Sequence, residues 1–583
     1  MRNFSVWAPS APKVELVLGW SRHEMKRLDS GWHAVEAEAV AGDDYGFALD
    51  GGETLPDPRS QWQPNGVHGL SRVVDHDAFV WTDHSWRPPP LASSIVYELH
   101  VGTFTPEGTF EAAAGRLDYL LSLGVTAVEL MPVAEFPGER GWGYDGVDLY
   151  APHHAYGGPE GLKTFVDAAH AAGLAVILDV VHNHLGPAGN YLGRFGPYFT
   201  VKYATPWGDA VNFDGAGSTE VRRFFVESAL MWLRDYRIDG LRIDAVHAIL
   251  DLSATHFLEE LTGAVRALEA EVGRPKYIIA ESDLNDPRLV RSTEAGGYGM
   301  DASWSDDFHH ALHAVLTGER AGYYADFGSL DDLATALTDV YVYGGRYSHY
   351  RGRVHGRAPT GLPGGRFLGF LQNHDQVGNR ARGERSTHLM STGRLEVGAA
   401  LVLTSPFVPM LFMGEEWGAT TPFQYFTDHD PELGRAVSEG RRNEFRAFGW
   451  DPSDVPDPQA AQTFIRSRLD WAESNDGINA ELLDWHRKLI ALRKSTPELL
   501  DGDLDAVTVT YDPDQQWIVV ERGPITVACN ISTEERTLPV PEGRRTEVLL
   551  TTARDLTAAA TEVTMSAETV TIWRGAPSKG FSG

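Results

Sequence analysis

From residue 95 to about residue 500, the sequence alternates short apolar runs with longer amphipathic stretches whose apolar residues recur at spacings of three and four. This alternation is typical of strands and helices that build a parallel sheet, because such strands are buried on both faces and the helices on one. Eight runs can be counted, and eight strands with intervening helices close most simply into a (β/α)₈ barrel. The runs begin at Ile95, Val125, Leu174, Gly240, Tyr277, Ala302, Arg366 and Val408.

The sequence on either side of this repeat lacks helical periodicity. Residues 1–88 carry short β-prone runs such as VELVL and YGFALD, which predict an N-terminal β-sandwich, and the prolines of SWRPPPLASS predict a linker. Short alternating segments return in residues 503–583 and predict a C-terminal β-sandwich after a barrel of residues 89–502. The segment of about residues 185–217 is too long for a simple connection and predicts an excursion over the barrel mouth. The predicted fold class is therefore α/β, a TIM barrel flanked by two all-β domains.

The charge and cysteine content limit the partners of the chain. With 81 Asp and Glu against 50 Lys and Arg, the formal charge is −31, which disfavours nucleic acid, anionic lipid and phosphorylated substrates. A single cysteine, Cys529, rules out an intramolecular disulfide. No apolar stretch reaches the ~18 residues of a membrane helix and no signal-peptide pattern is present, so we expect a cytoplasmic protein without a membrane partner.

Polar residues gather where the apolar runs end. In a (β/α)₈ barrel the catalytic side chains project from the C-terminal ends of the strands. A single residue of this kind is explained by capping or by a solvated carboxylate, but six run ends behave alike here and they converge on one opening. The residues are Asp179, Asn183 and His184; Arg242, Asp244 and His247; Glu281 and Asp283; Asp306 and Asp307; Asn373, His374 and Asp375; Glu415 and Glu416.

Carboxyl groups around one barrel mouth suit acetal hydrolysis, in which one carboxyl protonates the leaving oxygen and another attacks the anomeric carbon. A zinc site formed by His182, His184 and Asp179 is the competing interpretation, although HExxH spacing is missing. A serine or cysteine nucleophile is disfavoured because there is no GxSxG elbow and Cys529 lies in the C-terminal β region. Glycine loops of the Walker or dinucleotide type are missing too, so we expect no cofactor and no catalytic metal.

Four ordered segments resemble the four sequence regions of the α-amylase family of glycoside hydrolases. They are DVVHNH (179–184), GLRIDAVH (240–247), the Glu281 of IIAESD, and FLQNHD (370–375). The resemblance implies a retaining hydrolase with Asp244 as nucleophile, Glu281 as proton donor and Asp375 as transition-state stabiliser. It also implies that Arg242 keeps the nucleophile ionised, that His184 and His374 hydrogen-bond the sugar at the cleaved bond, and that Tyr144 forms a platform beneath that sugar.

The residue types agree with these roles. Asp244 must be anionic to attack, and a guanidinium two residues earlier on the same strand face lowers its pKa. Glu281 must stay protonated near neutral pH, and partial desolvation together with the charges of Asp244 and Asp375 raises its pKa. Asp375 would stabilise positive charge on the oxocarbenium-like transition state.

Longer segments resemble those members of the family that release trehalose from the end of a maltooligosyltrehalose. The segments include YELHVGTFTPEGTF, WGYDGVDLYAPHHAYGGPEG, DDFHH, HDQVGN and MLFMGEEWGATTPFQYFTDHD. The resemblance implies cleavage of the α-1,4 bond beside the terminal trehalose, and cooperation with an enzyme that forms the maltooligosyltrehalose. It implies these substrate contacts: Arg242, His247, Asp307, His309, His310, His374, Gln376 and Asn379. For the DDFHH histidines, simple strand-end capping is the alternative.

Two other functions fit parts of the same pattern. Glycogen-branching and debranching enzymes share the N-terminal β domain and the three carboxylates, but they act at α-1,6 branches. A non-catalytic, amylase-like glucan-binding protein would lack the catalytic carboxylates or carry a membrane anchor. The residues leave open the preferred chain length, the oligomeric state, the presence of a structural ion and the strictness of trehalose specificity.

Overall fold

The computed structural model describes residues 1–446, 451 and 454–575. At its centre lies a closed barrel of eight parallel strands, which confirms the predicted (β/α)₈ fold. Each strand lies within one of the apolar runs of the sequence. In chain order the strands are β1 (Val96–Leu99), β2 (Ala127–Leu130), β3 (Ala175–Val180), β4 (Gly240–Ile243), β5 (Tyr277–Ala280), β6 (Ala302–Trp304), β7 (Phe367–Gly369) and β8 (Val408–Phe412).

Helices on the outside of the barrel return the chain from one strand to the next. They are Phe110–Ala114 and Leu117–Leu123 after β1, Gly158–Ala172 after β2, Ser218–Asp235 after β3, Phe257–Val272 after β4, Asp306–Thr317 and Leu330–Asp339 after β6, and Thr392–Thr404 after β7. Two 3₁₀ turns, Pro287–Leu289 and Thr293–Ala295, follow β5. The helices Pro431–Arg446, Ala461–Arg466, Gly477–Ser495 and Pro497–Leu500 follow β8. Among the described residues, no helix combines the length and apolar character needed to cross a membrane.

The interior of the barrel changes from apolar to polar along its strands. Successive side chains of a strand point to opposite faces, so every second residue points inward. Ala127 and Ile177 belong to the apolar interior cluster. Two residues further along the same strands, Glu129 and Asp179 occupy the next inward positions and are at most 2 % exposed. Along these two strands, the inward side chains therefore change from apolar to acidic toward the C-terminal end of the barrel.

Two small sheets precede the barrel. The first consists of Arg2–Trp7, Trp32–Ala37 and Lys26–Arg27, and the second of Ser21–Glu24, Val14–Leu18, Asp44–Leu49 and Thr54–Leu55, with Ser71–Arg72 paired to Asp44–Leu49. Buried residues from both sheets, including Phe4, Leu16 and Phe47, belong to the large core cluster that extends into the barrel. The proline-rich segment that follows contains one 3₁₀ turn, Leu91–Ser93, before β1 begins.

Two sheets also follow the barrel. Val507–Asp512, Trp517–Arg522, Ile525–Asn530, Thr569–Arg574 and Glu547–Thr551 form one sheet in this spatial order, and Arg536–Leu538, Val563–Met565 and Leu556–Ala558 form the other. Their facing side chains make a separate apolar core that includes Trp517, Leu538 and Trp573. Residues 576–583 of the predicted C-terminal domain, and residues 447–450, 452 and 453 of the predicted barrel domain, lie outside the described residues.

Two long connections decorate the C-terminal end of the barrel. After β2, the short strands Ala134–Glu135 and Asp148–Pro152 pair and carry between them a loop of residues 136–147. After β3, the predicted excursion contains a hairpin of Phe199–Thr205 and Gly208–Val211. In the first loop Gly143 has φ +97°, and a Cβ placed there would lie 2.2 Å from the Pro132 carbonyl oxygen.

Replacing Gly143 by alanine should destabilise the protein by roughly 1–3 kcal/mol, because the side chain meets both an unfavourable backbone conformation and the Pro132 carbonyl. Gly263→Ala is the matched control, since a Cβ at Gly263 in the helix Phe257–Val272 meets no atom within 4 Å. That variant should gain roughly 0.5–1 kcal/mol from reduced backbone freedom. Calorimetric unfolding midpoints measure the stability change of each variant. Equal midpoints for Gly143→Ala and Gly263→Ala would contradict the conclusion that the loop requires glycine at position 143.

Candidate active site

A buried guanidinium organises the polar end of the barrel. Arg242 on β4 is fully buried, and its Nη1 donates to Asp179 Oδ2 and to Asp244 Oδ1 at 2.8 Å each. Its Nη2 lies 3.6 Å from Glu281 Oε2. The guanidinium carbon is 4.3 Å from the centre of the Trp304 ring. One cation thus contacts three carboxyl groups supplied by β3 and by the residues directly after β4 and β5.

Asp244, directly after β4, is held as an anion. Asn183 Nδ2 donates to Asp244 Oδ2 and to the Asp244 backbone oxygen, both at 2.8 Å. Burial would raise the pKa of Asp244, but the charge of Arg242, together with His184 and the Asn183 hydrogen bond, keeps that pKa below its usual value. A carboxylate that stays ionised at neutral pH is suited to nucleophilic attack.

Glu281, directly after β5, experiences the opposite electrostatic balance. Burial raises the pKa of Glu281 well above its usual value, and although Arg242 opposes this rise, the negative charges of Asp244, Asp306 and Asp375 add to it. The side chain remains 14 % exposed. A carboxyl group that keeps its proton and still reaches the cleft is suited to general acid catalysis.

The backbone after Asp244 is bent toward Glu281. Ala245 has φ +39° and ψ +52°, in the left-handed region that residues with a side chain rarely occupy. Its N–H donates to Glu281 Oε2 at 2.6 Å, and the N–H of Val246 donates to the Glu281 carbonyl oxygen at 3.0 Å. A strain of about 1–2 kcal/mol is therefore tolerated at a position that fixes the acid relative to the nucleophile.

Asp375 is the most open of the three predicted catalytic acids, with 41 % of its side chain exposed. Asn379 Nδ2 donates to Asp375 Oδ1 at 3.0 Å, and His374 Nε2 lies 3.5 Å from the same oxygen. Burial lowers the pKa of His374, but Asp375 and Glu98 more than offset this and raise it to about 9. Glu98 Oε1 accepts from His374 Nδ1 at 2.5 Å, so a buried imidazolium stands beside Asp375.

Tyr144 connects the loop of residues 136–147 to these groups. Its hydroxyl donates to Asp179 Oδ2 at 2.6 Å and accepts from His374 Nε2 at 2.7 Å. Its ring stacks on the imidazole of His374 with centroids 5.2 Å apart. The predicted platform residue therefore lies among the predicted site residues and is fixed at both its ring and its hydroxyl.

His184 is engaged entirely by the protein. Its Nδ1 contacts Asn183 Oδ1, and its Nε2 lies 3.0 Å from the Tyr144 carbonyl oxygen. Trp207, at the tip of the excursion hairpin, stacks on the imidazole with centroids 4.3 Å apart and planes 2° apart, and it remains 48 % exposed. An exposed aromatic face thus adjoins the residues that hold the nucleophile.

The DDFHH segment forms the start of the helix Asp306–Thr317 and does not end a strand. Asp307 accepts from Asn285 Nδ2 at 2.9 Å and from the backbone N–H of Tyr343 at 2.8 Å. Asp306 is the member of the segment whose charge raises the pKa of Glu281. The structure therefore brings Asp306 close to the acids and engages Asp307 in fixing a neighbouring segment.

The two predicted contact histidines of this segment are buried against tyrosines. His309 Nε2 lies 2.9 Å from the Tyr324 hydroxyl, and the His310 ring packs on Tyr323 with centroids 5.0 Å apart. The hydroxyls of both tyrosines lie 3.4 Å from Gln376 Oε1. A cluster built on the start of one helix therefore connects three of the predicted substrate contacts.

The remaining predicted residues occupy different surroundings. His247 is exposed in the turn that follows Asp244. Asn379 accepts through Oδ1 from Arg441 Nη1 at 3.1 Å, in addition to its contact with Asp375. Beyond β8, Glu416 Oε1 accepts from the hydroxyls of Tyr97 and Tyr119 at 3.0 and 2.8 Å. Glu415 Oε2 accepts from the Phe412 N–H at 3.1 Å, so both acids after β8 are engaged by protein groups.

The alternative zinc site is not assembled. His182 is fully buried, and desolvation lowers its pKa to about 3. Both ring nitrogens of His184 are already bonded to protein groups. Within the described residues, these two histidines and Asp179 do not bring ligand atoms together, whereas Glu135, His153 and His154 do.

Sequence reasoning assigned no role to several residues of this site. Glu98 is an acidic residue within the first apolar run, one position before the end of β1, so its place in a buried strand could have drawn attention to it. Asn183 also stands in a run end, but only its hydrogen bonds to Asp244 reveal its role. Nothing in residues 185–217 indicates that Trp207, among several aromatic residues, reaches the site.

Comparisons with known proteins agree with this geometry. Residues 75–195 match the alpha amylase catalytic domain, and residues 502–572 match a domain of unknown function, DUF3459. A solved structure described as a putative alpha amylase from Salmonella typhimurium superposes with a TM-score of 0.91 at 40 % sequence identity, covering 98 % of this chain and 97 % of that one. The barrel and its carboxylates define a glycoside hydrolase of the α-amylase class.

Two curated relatives match nearly the whole chain. One is the malto-oligosyltrehalose trehalohydrolase of Rhizobium sp. (strain M-11), which is 52 % identical over 550 residues that cover 92 % of each chain. The other is the malto-oligosyltrehalose trehalohydrolase of Mycobacterium tuberculosis (strain ATCC 25618 / H37Rv), which is 49 % identical over 547 residues that cover 93 % of this chain and 94 % of the relative. The chain belongs to the malto-oligosyltrehalose trehalohydrolase family.

Replacing Asn183 by alanine should move the acid limb of the kcat/KM profile to higher pH by about one unit. The Asn183 hydrogen bond favours the ionised form of Asp244, so its loss raises the pKa of Asp244 and the nucleophile becomes protonated at a higher pH. Asn475→Ala, at an exposed position, is the matched control and should keep the wild-type profile. Coincident acid limbs for wild type and Asn183→Ala would contradict the role given to Asn183.

Proposed function

We propose that this enzyme hydrolyses the α-1,4-glucosidic bond beside the terminal trehalose of maltooligosyltrehalose and releases trehalose by double displacement. The single observation that supports the chemistry most strongly is geometric: Arg242 donates to Asp244 Oδ1 at 2.8 Å but lies 3.6 Å from Glu281 Oε2, so the same guanidinium stabilises the anionic form of Asp244 more than that of Glu281. Divergent pKa values assign the acid and the nucleophile in such a pair. The substrate is the one named for the relatives that match nearly the whole chain.

In the first step, Glu281 gives its proton to the glycosidic oxygen while a carboxylate oxygen of Asp244 attacks the anomeric carbon. The bond to the glycosidic oxygen breaks, trehalose leaves as an alcohol, and the remaining maltooligosyl unit is held as an ester of Asp244. Because the Ala245 N–H already donates to Glu281 Oε2, the proton belongs on Oε1.

In the second step, the Glu281 carboxylate takes a proton from water, and the resulting oxygen nucleophile attacks the anomeric carbon and displaces Asp244. Positive charge develops on the sugar in both steps. We assign the stabilisation of that charge to the Asp375 carboxylate, which accepts from Asn379 Nδ2 at 3.0 Å and whose side chain is 41 % exposed. Two inversions at one carbon give a new reducing end with the α configuration.

Asp244→Asn and Glu281→Gln should each lower turnover on the order of a thousandfold or more while leaving the fold intact, because each residue performs an obligatory bond-making or proton-transfer step. Circular dichroism and melting temperature report on the fold. Asp503→Asn, at an exposed position, is a control for the same change of side chain outside the site. A catalytic variant that keeps a tenth of wild-type activity would exclude that residue from its role, and a β-configured initial product seen by NMR would exclude double displacement.

Preference for trehalose is the finer part of the proposal. The α,α-1,1 link turns the second glucose of trehalose differently from that of maltose, so different hydroxyls face the protein. Polar groups satisfied only by the trehalose arrangement remain unpaired when maltose binds, which costs several kcal/mol in the transition state. Contacts between two loops support a site with a fixed shape. The segment after β8 is joined to the loop of residues 136–147, since Asp428 pairs with Arg140 at 2.5 Å and the Gln424 carbonyl accepts from Trp142 Nε1 at 3.0 Å.

The ratio kcat/KM should be much larger for maltotriosyltrehalose than for maltopentaose, which match in glucose number but differ in the terminal linkage. A difference on the order of a hundredfold or more is expected for a site that pairs its polar groups with only one of the two. Trehalose release is quantified by chromatography. Equal ratios would indicate a general amylase, and new α-1,6 links formed on glycogen would indicate a branching enzyme.

The proposed substrate also implies a reaction that precedes this one. A chain ending in a non-reducing α,α-1,1 link must be formed from a maltooligosaccharide by an enzyme that rearranges its reducing end. We therefore place this enzyme after such a maltooligosyltrehalose-forming activity.

A further inference from the structure

The orientation of Asp375 depends on a residue one helical turn further along the chain. Asp375 belongs to the short helix His374–Gly378, and Asn379 follows four residues after it, so the two side chains are neighbours on one face of that turn. Asn379 Nδ2 donates to Asp375 Oδ1 at 3.0 Å. Because 41 % of the Asp375 side chain is exposed, this hydrogen bond restricts a carboxylate that packing leaves partly open.

The amide of Asn379 can hold this carboxylate in only one of its two orientations. Its nitrogen donates and its oxygen only accepts, so a reversed amide would set oxygen against oxygen. Arg441, in the helix Pro431–Arg446, decides between the two orientations, since its Nη1 donates to Asn379 Oδ1 at 3.1 Å. A guanidinium carries donors alone, so the Asn379 oxygen must face Arg441 and its nitrogen must face Asp375.

The guanidinium of Arg441 is itself held on two sides. Its Nη2 donates to the Gly378 carbonyl oxygen at 2.6 Å, and its central carbon lies 5.0 Å from the centre of the Tyr425 ring. Trp142 packs edge to face against Tyr425 with centroids 5.2 Å apart, and a Cβ at Gly378 would lie 2.1 Å from the Trp142 ring. The planar fork of Arg441 therefore occupies a fixed position against the end of the helix that carries Asp375.

From these contacts we infer that Arg441 is a positioning residue, which acts through Asn379 to keep the Asp375 carboxylate in its catalytic orientation. The inference rests on the proposed function, because it takes Asp375 as the group that stabilises positive charge on the sugar in the transition state. An interaction needed chiefly in the transition state affects kcat rather than KM. Loss of Arg441 should therefore slow turnover while substrate binding is retained.

Arg441→Met tests the inference, and Arg442→Met is the matched control, because Arg442 is an exposed residue of the same helix. Methionine keeps much of the side-chain volume but cannot donate a hydrogen bond. Arg441→Met should therefore lower kcat for maltotriosyltrehalose on the order of tenfold and change KM by less than about twofold. Arg441→Lys should recover part of the lost turnover, because an ammonium can still donate to Asn379. Arg442→Met should keep the wild-type kcat and KM.

A double-mutant cycle shows whether the effect of Arg441 passes through Asn379. Once Asn379→Ala has removed the amide, adding Arg441→Met should lower kcat by less than about twofold further, although Arg441→Met alone lowers it about tenfold. Residues that act independently would instead give a double variant whose loss in kcat is the product of the two single losses. Such a product, or a loss in Arg441→Met that appears only in KM, would overturn the inference.

Melting temperatures report on the fold of every variant, and Arg441→Gln, which is neutral and shorter, replaces Arg441→Met in the cycle if the methionine variant fails to fold. Asp375→Asn separates failure of the inference from failure of the proposed function. Wild-type turnover in Asp375→Asn would overturn the role of Asp375 and the inference with it. A loss on the order of a hundredfold or more in Asp375→Asn, combined with independent effects of Arg441 and Asn379, would overturn the role of Arg441 alone.

Discussion

The arrangement of this site depends on one ion buried inside a closed barrel. Arg242 is the cation that allows Asp179 and Asp244 to stand charged where water is largely excluded, and an uncompensated buried charge would cost about 3–5 kcal/mol. The guanidinium can satisfy both because its nitrogens form a rigid fork. Trp304 lies against its face and separates it from the apolar half of the barrel.

The same burial produces opposite results at two neighbouring strand ends. Asp244 receives hydrogen bonds from both Arg242 and Asn183, whereas Glu281 receives one from a backbone N–H and faces three other carboxyl groups. Environment therefore decides which group is nucleophile and which is acid. The environment also sets the protonation state of His374. Glu98 and Asp375 favour its cationic form, and its imidazole stacks against the Tyr144 ring.

The barrel could be predicted because the alternation of apolar runs and helices defines its strands, and topology alone brings their C-terminal ends together. Periodicity therefore gathers Asp244, Glu281 and Asp375 with the other polar strand-end residues, but the selection of these three as the catalytic acids depends on the resemblance to the α-amylase family and stays a prediction. Finer contacts depend on rotation and on distant segments. β6 is only three residues long and the chain becomes helical at Asp306, where successive side chains are turned by about 100°. Asp306 therefore raises the pKa of Glu281, whereas Asp307 accepts hydrogen bonds from Asn285 and the Tyr343 backbone. Trp207 meets His184 only through the folding of a hairpin that no periodicity locates.

The left-handed residue after the nucleophile restricts which amino acid can stand there. A β-branched side chain would clash severely in that conformation, whereas glycine would adopt it without strain. Glycine would, however, enlarge the set of conformations open to the unfolded chain, and folding would then have to remove that added entropy before the Glu281 hydrogen bond could form. Alanine is the smallest side chain that limits this freedom. At Ala245 the native backbone is therefore strained, but the unfolded chain has fewer backbone conformations there than it would with glycine. The alignment of Asp244 with Glu281 thus depends in part on conformations that alanine excludes from the unfolded chain.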